Sequence, residues 1–552
     1  MASGCRRLPF SRQAGCRPDT LRAMSQPPPV PPELTSPPPG KISGAARFLG
    51  VLLVVPLFVL TVLTLWVPAF SLVIGSFQHP SGGATDGGHW TNVLGFTLAT
   101  AVVRLLACII PILFAISLAF AGSVARHVAR TVFLFFALLL GPLSYALCCT
   151  LFSLQVQPGI LGKPVGAWTL TLCAEALITT AIVAAIALWL FPGIQTSSES
   201  DKRSANLGRL VIATVLLLGV FASGFQALIL SLVTFGGVTG STKTLALLGY
   251  EGLIRLVPES SGAWFQFGFV AVLGLAGGIL LVISNIRWAI SKISARPEPT
   301  GCVIGAVSGL MLLCTVLIAA FPIFAGIFGL LGPDGRPAVE GLTPQLITAL
   351  IPGIQHQLLL FIAWFVLVVP ATYLAALGVG GLRPFGGHSE WILLPFFPFF
   401  FISIATLWSP FYFSFFKFHL LGNPVIQLYP LLTNVPFLIF LTLFFKGQTE
   451  QWMNTTPRVS YFRSVIVPSL PVTMTFALAS SLFVIRDVLW SIVSGPQNND
   501  LAQILLTTEE ELSVNRLGSL VLIFAAGSLL VFFPILAVLQ ALVVDRLRIR
   551  AK

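Results

Sequence analysis

Four charged residues lie inside long apolar stretches of this 552-residue chain: Arg104 in ATAVVRLLA, Glu175 in LCAEALI, and the neighbours Arg486 and Asp487 in FVIRDVLW. A charge at the centre of a bilayer costs roughly 2.5–3.5 kcal/mol on insertion scales, so each needs a use or a partner. Two readings fit: a polar lining for a path across a membrane, or a buried ion pair that fixes helix packing. Arg486 and Asp487 are adjacent, which turns them about 100° apart on a helix and calls for partners from other segments. Bond-making chemistry has little foothold. His79, His89, His127, His356, His388 and His419 are scattered, and no HExxH motif or Ser/His/Asp set occurs. No GxxxxGK[ST] loop is present, so the expectation is a chain that is not an enzyme and leaves any ATP hydrolysis to another protein.

The elements that would position these residues follow from composition. With 56% hydrophobic and 9% charged residues, no single water-surrounded core could bury the apolar surface, and the solvent must be lipid. The net charge of +12 then asks which side of a membrane carries the Lys and Arg, not whether nucleic acid binds. The eight cysteines lie mostly in apolar runs with no C-x-x-C pair, which points to reduced, structural thiols and no metal. Residues 1–47 contain QPPPVPPELTSPPPGK and five arginines before Lys41, and read as a disordered tail.

Twelve apolar runs are each long enough to cross about 30 Å of hydrocarbon: 49–75, 95–121, 129–153, 168–191, 209–235, 264–285, 303–331, 351–378, 391–414, 424–445, 464–493 and 516–544. Unpaired backbone groups are too costly in lipid, so each is expected to be an α-helix. The predicted fold class is an all-α polytopic membrane protein. The breaks on one side hold Arg126, Arg130, Lys202, Arg203, Arg209, Arg287, Lys292, Arg296, Arg383, Lys446, Arg458 and Arg463, together with the basic residues of both termini. The alternate breaks hold only Lys163, Lys243, Arg255, Arg336, Lys417 and Arg516, so both termini are expected in the cytoplasm. A basic linker, 287–302, divides six expected helices (48–286) from six more (303–552), the shape of a transporter whose path runs between two homologous bundles.

One predicted cytoplasmic break is polar and patterned. In QTEQWMNTTPRVSYFRSVIVPSLP (448–471), Gln448–Asn454 can form about two helical turns carrying Trp452 and Met453. Thr456 then offers an N-cap hydroxyl to a second helix with Pro457 at its first position. Such a helix–turn–helix with protruding apolar side chains reads as a docking element, or else as an amphipathic loop lying on lipid headgroups.

This loop resembles the signature of binding-protein-dependent ABC importer permeases, EAA-x3-G-x9-I-x-L-P. Aligned on Pro468, Val465-Ile466-Val467-Pro468 stands for I-x-L-P, Phe462-Arg463 for the frequent F-R, and Asn454 where Asp is common. Thr449-Glu450-Gln451 replaces EAA, and Thr455 replaces the glycine. VPAFSLVIGSF (67–77) resembles the first-helix ending of the maltose-type permeases, SGFQALILSLVTFGGVTGSTKTLALLGYEG (from Ser223) a region of the first partner of such pairs, and FYFSFFKFHLLGNPVIQLYPLLTNVPFLIFLTLFFKG (411–447) a segment of the second. The resemblance spans about 48–552, in family order and as one fused chain.

It implies a type I importer fold of two six-helix halves, with Glu450, Trp452, Asn454, Thr455, Thr456, Pro457, Phe462, Arg463 and Pro468 forming a coupling loop for a cytoplasmic ABC ATPase dimer. Those ATPases would hold ATP and Mg, this chain would bind no cofactor of its own, and an extracytoplasmic binding protein would deliver a sugar or similar polar solute. Arg104, Glu175, Arg486 and Asp487 would be the path candidates. The corresponding loop of the first half, PGIQTSSESDKRSANLGRL, has no EAA, no glycine at the matching place and no L-P. A permease-fold scaffold without transport, and a fused permease of the ferric-ion or thiamine type, are the alternatives.

Overall fold

In the computed structural model the described residues are 42–78, 87–118, 123–141, 163–191, 199–233, 242–254, 261–290, 302–327, 344–407, 432–455, 460–485 and 529–550, with single positions between 411 and 429. Eight helices among them are long and apolar enough to cross a membrane: Gly44–Ile74, Trp90–Leu118, Pro164–Leu190, Arg203–Ser231, Ala263–Ile283, Gly305–Ala325, Leu358–Gly381 and Phe462–Ser481. The chain is an all-α polytopic membrane protein, with one small two-stranded ribbon among the described residues. The helices are α1 (Gly44–Thr61), α2 (Val67–Gln78), α3 (Gly87–Ala107), α4 (Ile109–Leu118), α5 (Ser123–Leu139), α6 (Pro164–Leu190), α7 (Glu199–Phe225), α8 (Ile229–Val233), α9 (Leu245–Ile254) and α10 (Ser261–Ile283). Strand β1 (Arg287–Ile290) follows, then α11 (Cys302–Ile327), α12 (Pro344–Ala376), α13 (Val435–Thr455), α14 (Val467–Ile485), α15 (Leu529–Leu542) and strand β2 (Leu547–Arg550).

Two of the twelve expected spans differ, and two more are described only in part. The run expected at 391–414 is not an α-helix in its first part: Gly386–Phe399 is 3-10, followed by a 3-10 turn at Ile404–Leu407. Pro395 and Pro398 remove two backbone donors there, and the wide i→i+4 ladder cannot form through them. The run at 129–153 is helical in its first part as α5, with 142–153 outside the described residues, and that at 516–544 is described only from α15 onward. The run at 424–445 is displaced, since α13 runs through the expected break to Thr455.

Proline also sets the local breaks inside spans. Pro111 has no N–H for the Ala107 carbonyl, α3 gives way to α4 at Cys108, and the Thr180 hydroxyl donates to that carbonyl at 3.4 Å. A π-turn, Val62–Trp66, precedes Pro68 between α1 and α2, and another, Phe462–Ile466, precedes Pro468 ahead of α14.

The segments before and after the 291–301 stretch interlock. Helix α1 packs on α12 and the π-turn Leu377–Gly381, where a methyl on Gly50 would come within 2.9 Å of the Gly378 carbonyl oxygen. Helix α11 packs in turn on α4 and α6, with Gly309 set against the Phe114 ring. Helix α10 lies along the Gly386–Phe399 3-10 helix, its Gly274, Gly277 and Gly278 making room for Phe397, Pro398 and Phe401. Helix α15 lies along α5, with Phe533 edge-on to Phe135 at 5.7 Å and Leu536 buried beside Leu134 and Leu138. Gln540 of α15 accepts from the Trp189 indole (3.2 Å) and donates to the Thr131 hydroxyl (2.7 Å).

Strands β1 and β2 pair antiparallel, Arg287 opposite Arg550 and Ile290 opposite Leu547, with Trp288, Leu547 and Ile549 turned into the main core. β1 rests on α13 and β2 on α7. Asn285, in the left-handed region at φ 50°, ends α10 and turns the chain into β1.

The Gly50–Gly378 crossing has no room for a side chain. We expect Gly50→Val to lower the thermal unfolding midpoint of the detergent-solubilised protein, by the equivalent of about 1–3 kcal/mol of overpacking, while Gly95→Val, at a site with nothing within 4 Å, leaves it unchanged.

Candidate functional site: a polar collar at the end of α13

The last turns of α13 leave the apolar core and carry Lys446, Gln448, Thr449 and Glu450, a run of polar residues directly after the buried Phe444 and Phe445. Each finds a partner on a different element. Lys446 Nζ meets Glu390 Oε1 at 2.8 Å, and both side chains are 2% exposed. Lys446 lies outside the eight spans; burial pushes its ammonium below the usual lysine range, against the pull of Glu390 in the other direction.

Glu450, four residues further along the same face, holds two arginines. Its Oε1 accepts from Arg383 Nη1 at 3.0 Å, and its Oε2 is ion-paired with Arg287 of β1. Arg383 sits at φ 48°, a conformation costly for a side chain of its size, and its own Nε donates to the Gly386 carbonyl at 3.2 Å to close the turn.

Gln448 stitches two backbones together. Its Oε1 accepts from the Ile290 N–H of β1 at 3.2 Å, and its Nε2 donates to the Ser464 carbonyl at 2.8 Å. That carbonyl is the one Pro468 leaves without its helical donor, so the proline singled out in the loop acts by creating an acceptor for Gln448. Gly447 lies under β1 so closely that any Cβ would strike the Trp288 carbonyl, and the Trp288 ring packs on Phe440 at 5.0 Å. Across the loop, Thr449 and Tyr461 share a hydrogen bond of 3.2 Å, and Trp452 meets the Tyr461 ring edge-on at 5.2 Å. Burial pushes the Tyr461 phenol up to about 12, although the Thr449 bond lowers it.

The loop's expected two-helix form is therefore different in its first part: 448–455 is the end of α13, not a separate two-turn helix, because its polar side chains are held by β1, Arg383 and Tyr461. Thr455 is the last residue of that helix, and Thr456 and Pro457 lie outside the described residues. The chain resumes as helix at Tyr461. Of the coupling-loop candidates, Glu450 faces inward, Trp452 is half-buried, Pro468 is half-buried at the start of α14, and Asn454, Phe462 and Arg463 are exposed, with Gln451 beside them.

The charges inside the spans are also accounted for in part. Arg104 Nε donates to Glu175 Oε2 at 2.7 Å, and its Nη1 donates to the Ser223 carbonyl (2.8 Å) and hydroxyl (3.0 Å), which joins α3, α6 and α7. Arg486 and Asp487 lie outside the described residues. Cys108, Cys173 and Cys314 are free thiols.

Arg287, Arg383, Lys446, Glu390, Gln448 and Tyr461 went unrecognised in the sequence as a group. The available signal was the i, i+4 pair Lys446 and Glu450 on one helix face, together with Glu390 at the edge of an apolar run. No protein-family model, no curated protein and no solved structure matches this chain.

Two measurements check this geometry. Glu390→Gln strands a buried ammonium, and we expect it to cost about 3–5 kcal/mol in detergent unfolding, most of it recovered in Glu390→Gln with Lys446→Met. The raised phenol of Tyr461 favours the folded protein at full strength below the ordinary tyrosine value of 10.0, and that contribution is lost as pH rises toward about 12. We expect Tyr461→Phe to flatten the fall in thermal midpoint over this window, and to remove one late-titrating group that the wild type shows in an ultraviolet tyrosinate titration.

Proposed function

We propose that this chain is the fused membrane subunit of an ATP-driven importer of the ABC class, two six-helix halves in one polypeptide. It works without catalytic groups of its own and carries a sugar or similar polar solute. The observation that carries the reading is the reciprocity of packing. The first helix of each segment crosses to the second-helix region of the other, α1 on α12 and α11 on α4. The sixth of each lies on the third of the other, α10 on Gly386–Phe399 and α15 on α5. The strands that follow the two sixth helices pair antiparallel with one another. A pseudo-two-fold relation between two homologous halves accounts for all three, and two-bundle transporters place their path on such an axis.

The ribbon, the Glu450 collar and the loop after α13 all belong to segments that the distribution of Lys and Arg assigns to the cytoplasm, which supports an inside location for both termini. On this reading Gln451, Asn454, Phe462 and Arg463 offer the exposed face to a cytoplasmic ATPase dimer that holds ATP and Mg, and a binding protein works from the other side. The altered signature at Thr455 and the inward-facing Glu450 favour a second reading, a permease-fold scaffold that has lost transport, because the acidic residue of the signature is already occupied by Arg287 and Arg383.

Affinity purification of the solubilised protein decides between them. The importer reading expects an ABC ATPase to co-purify with ATP hydrolysis associated with the complex, and Phe462→Ala with Arg463→Ala to lower its recovery at least about tenfold without changing the melting midpoint. Recovery of no ATPase, or of one indifferent to that double variant, would overturn it in favour of the scaffold.

A further inference from the structure

We infer that the β1–β2 ribbon, fastened to the tip of α13 by Arg287 and Glu450, is a mechanical link that carries displacement of the loop after α13 across to the first half of the chain. This rests on the proposed function for what pushes on the loop, while the link itself rests on contacts. The tip of α13 is attached to β1 at three successive points. Gly447 abuts the Trp288 carbonyl, Gln448 accepts from the Ile290 N–H, and Glu450 is ion-paired with Arg287.

A four-residue strand held at both ends by one helix cannot slide independently of it. β1 is in turn paired in antiparallel register with β2 over its whole length, and β2 packs on α7. The route from loop to α7 is therefore continuous, loop to β1 to β2 to α7, and every step is a backbone hydrogen bond, an ion pair or a packed contact. α7 begins at Glu199, within the first-half stretch 192–210 that lacks the signature, so this route supplies that half with motion its own sequence is not built to receive. Arg287 and Glu450 are positioning residues in this scheme. A second carboxylate partner, Arg383, holds the same tip to the Arg383–Gly386 turn, which keeps Glu450 aimed at β1 when the loop moves.

Hydrogen–deuterium exchange of the full chain in lipid nanodiscs tests the link without any partner. We expect Glu450→Gln and Arg287→Gln each to speed exchange about fivefold or more in β1, in β2 and in α7 together. Phe462→Ala, which removes only an exposed side chain, should leave all three unchanged. If either charge variant fails to fold, Gln448→Met is scored by the same criterion. Faster exchange confined to 446–466, with β2 and α7 as in the wild type, would overturn the inference.

A second arm uses the co-purified ATPase. Trapping it with vanadate should alter β2 exchange in the wild type but not in Glu450→Gln that still binds the ATPase, and an equal response in both would also overturn the inference. Absence of any ATPase would sink the proposed function alone, since the partner-free arm still decides the link.

Discussion

Inside hydrocarbon a carbonyl freed by proline has no water to turn to, and the order of this structure follows from how those groups are satisfied. The carbonyl that Pro468 of α14 frees is filled from a different helix by Gln448 of α13, whereas the one freed by Pro111 of α4 has only a weak share, at 3.4 Å, of a Thr180 hydroxyl that bonds the Ala176 carbonyl at 2.7 Å. Gln226 shows the same logic without a proline. Its amide donates to the Ala222 and Phe401 carbonyls and accepts from the Ser403 N–H and the Thr406 hydroxyl, so one side chain at the end of α7 holds the irregular backbone that follows the Gly386–Phe399 3-10 helix. With apolar surface on every side, lipid and protein alike, burial of hydrocarbon does not choose one neighbour over another. These directed polar ties and the glycine crossings do.

How much of this was legible in the sequence depends on which of those forces a residue reports. The spans were legible because lipid demands about twenty apolar residues at a stretch, and a run such as 264–285 satisfies that demand almost residue for residue as Ala263–Ile283. The stretch 391–414 reads equally apolar, yet Pro395 and Pro398 act on backbone donors, which hydropathy does not weigh. The ribbon was illegible for another reason. RWAI alternates over only four residues within a basic linker, and its partner strand lies at the far end of the chain.

The site divides along the same line. Arg104 and Glu175 announced that they needed partners, since charge in a span always does, but nothing local shows that they would find each other 71 positions apart. Glu450 and Trp452 were recognisable through their loop. That both face inward depends on Arg287, Arg383 and Tyr461, whose distance in sequence hides them from any motif.

The two ion-pair systems on α13 are one helical turn apart and physically unlike. The Lys446–Glu390 pair, at 2% exposure on each side, was taken out of water entirely, and losing either member leaves a charge with no compensation. Glu450 and its arginines keep 13–21% of their side-chain surface in solvent. At an effective dielectric constant of about 20, an attraction of about 4 kcal/mol at 4 Å is there largely offset by desolvation, side-chain entropy and screening, leaving a net contribution nearer ~1 kcal/mol. The deeper pair therefore fixes where α13 sits, and the shallower one only sets the orientation of its tip. A helix anchored at Lys446 and lightly held at Glu450 concentrates any adjustment into its last two turns, the same turns that carry β1.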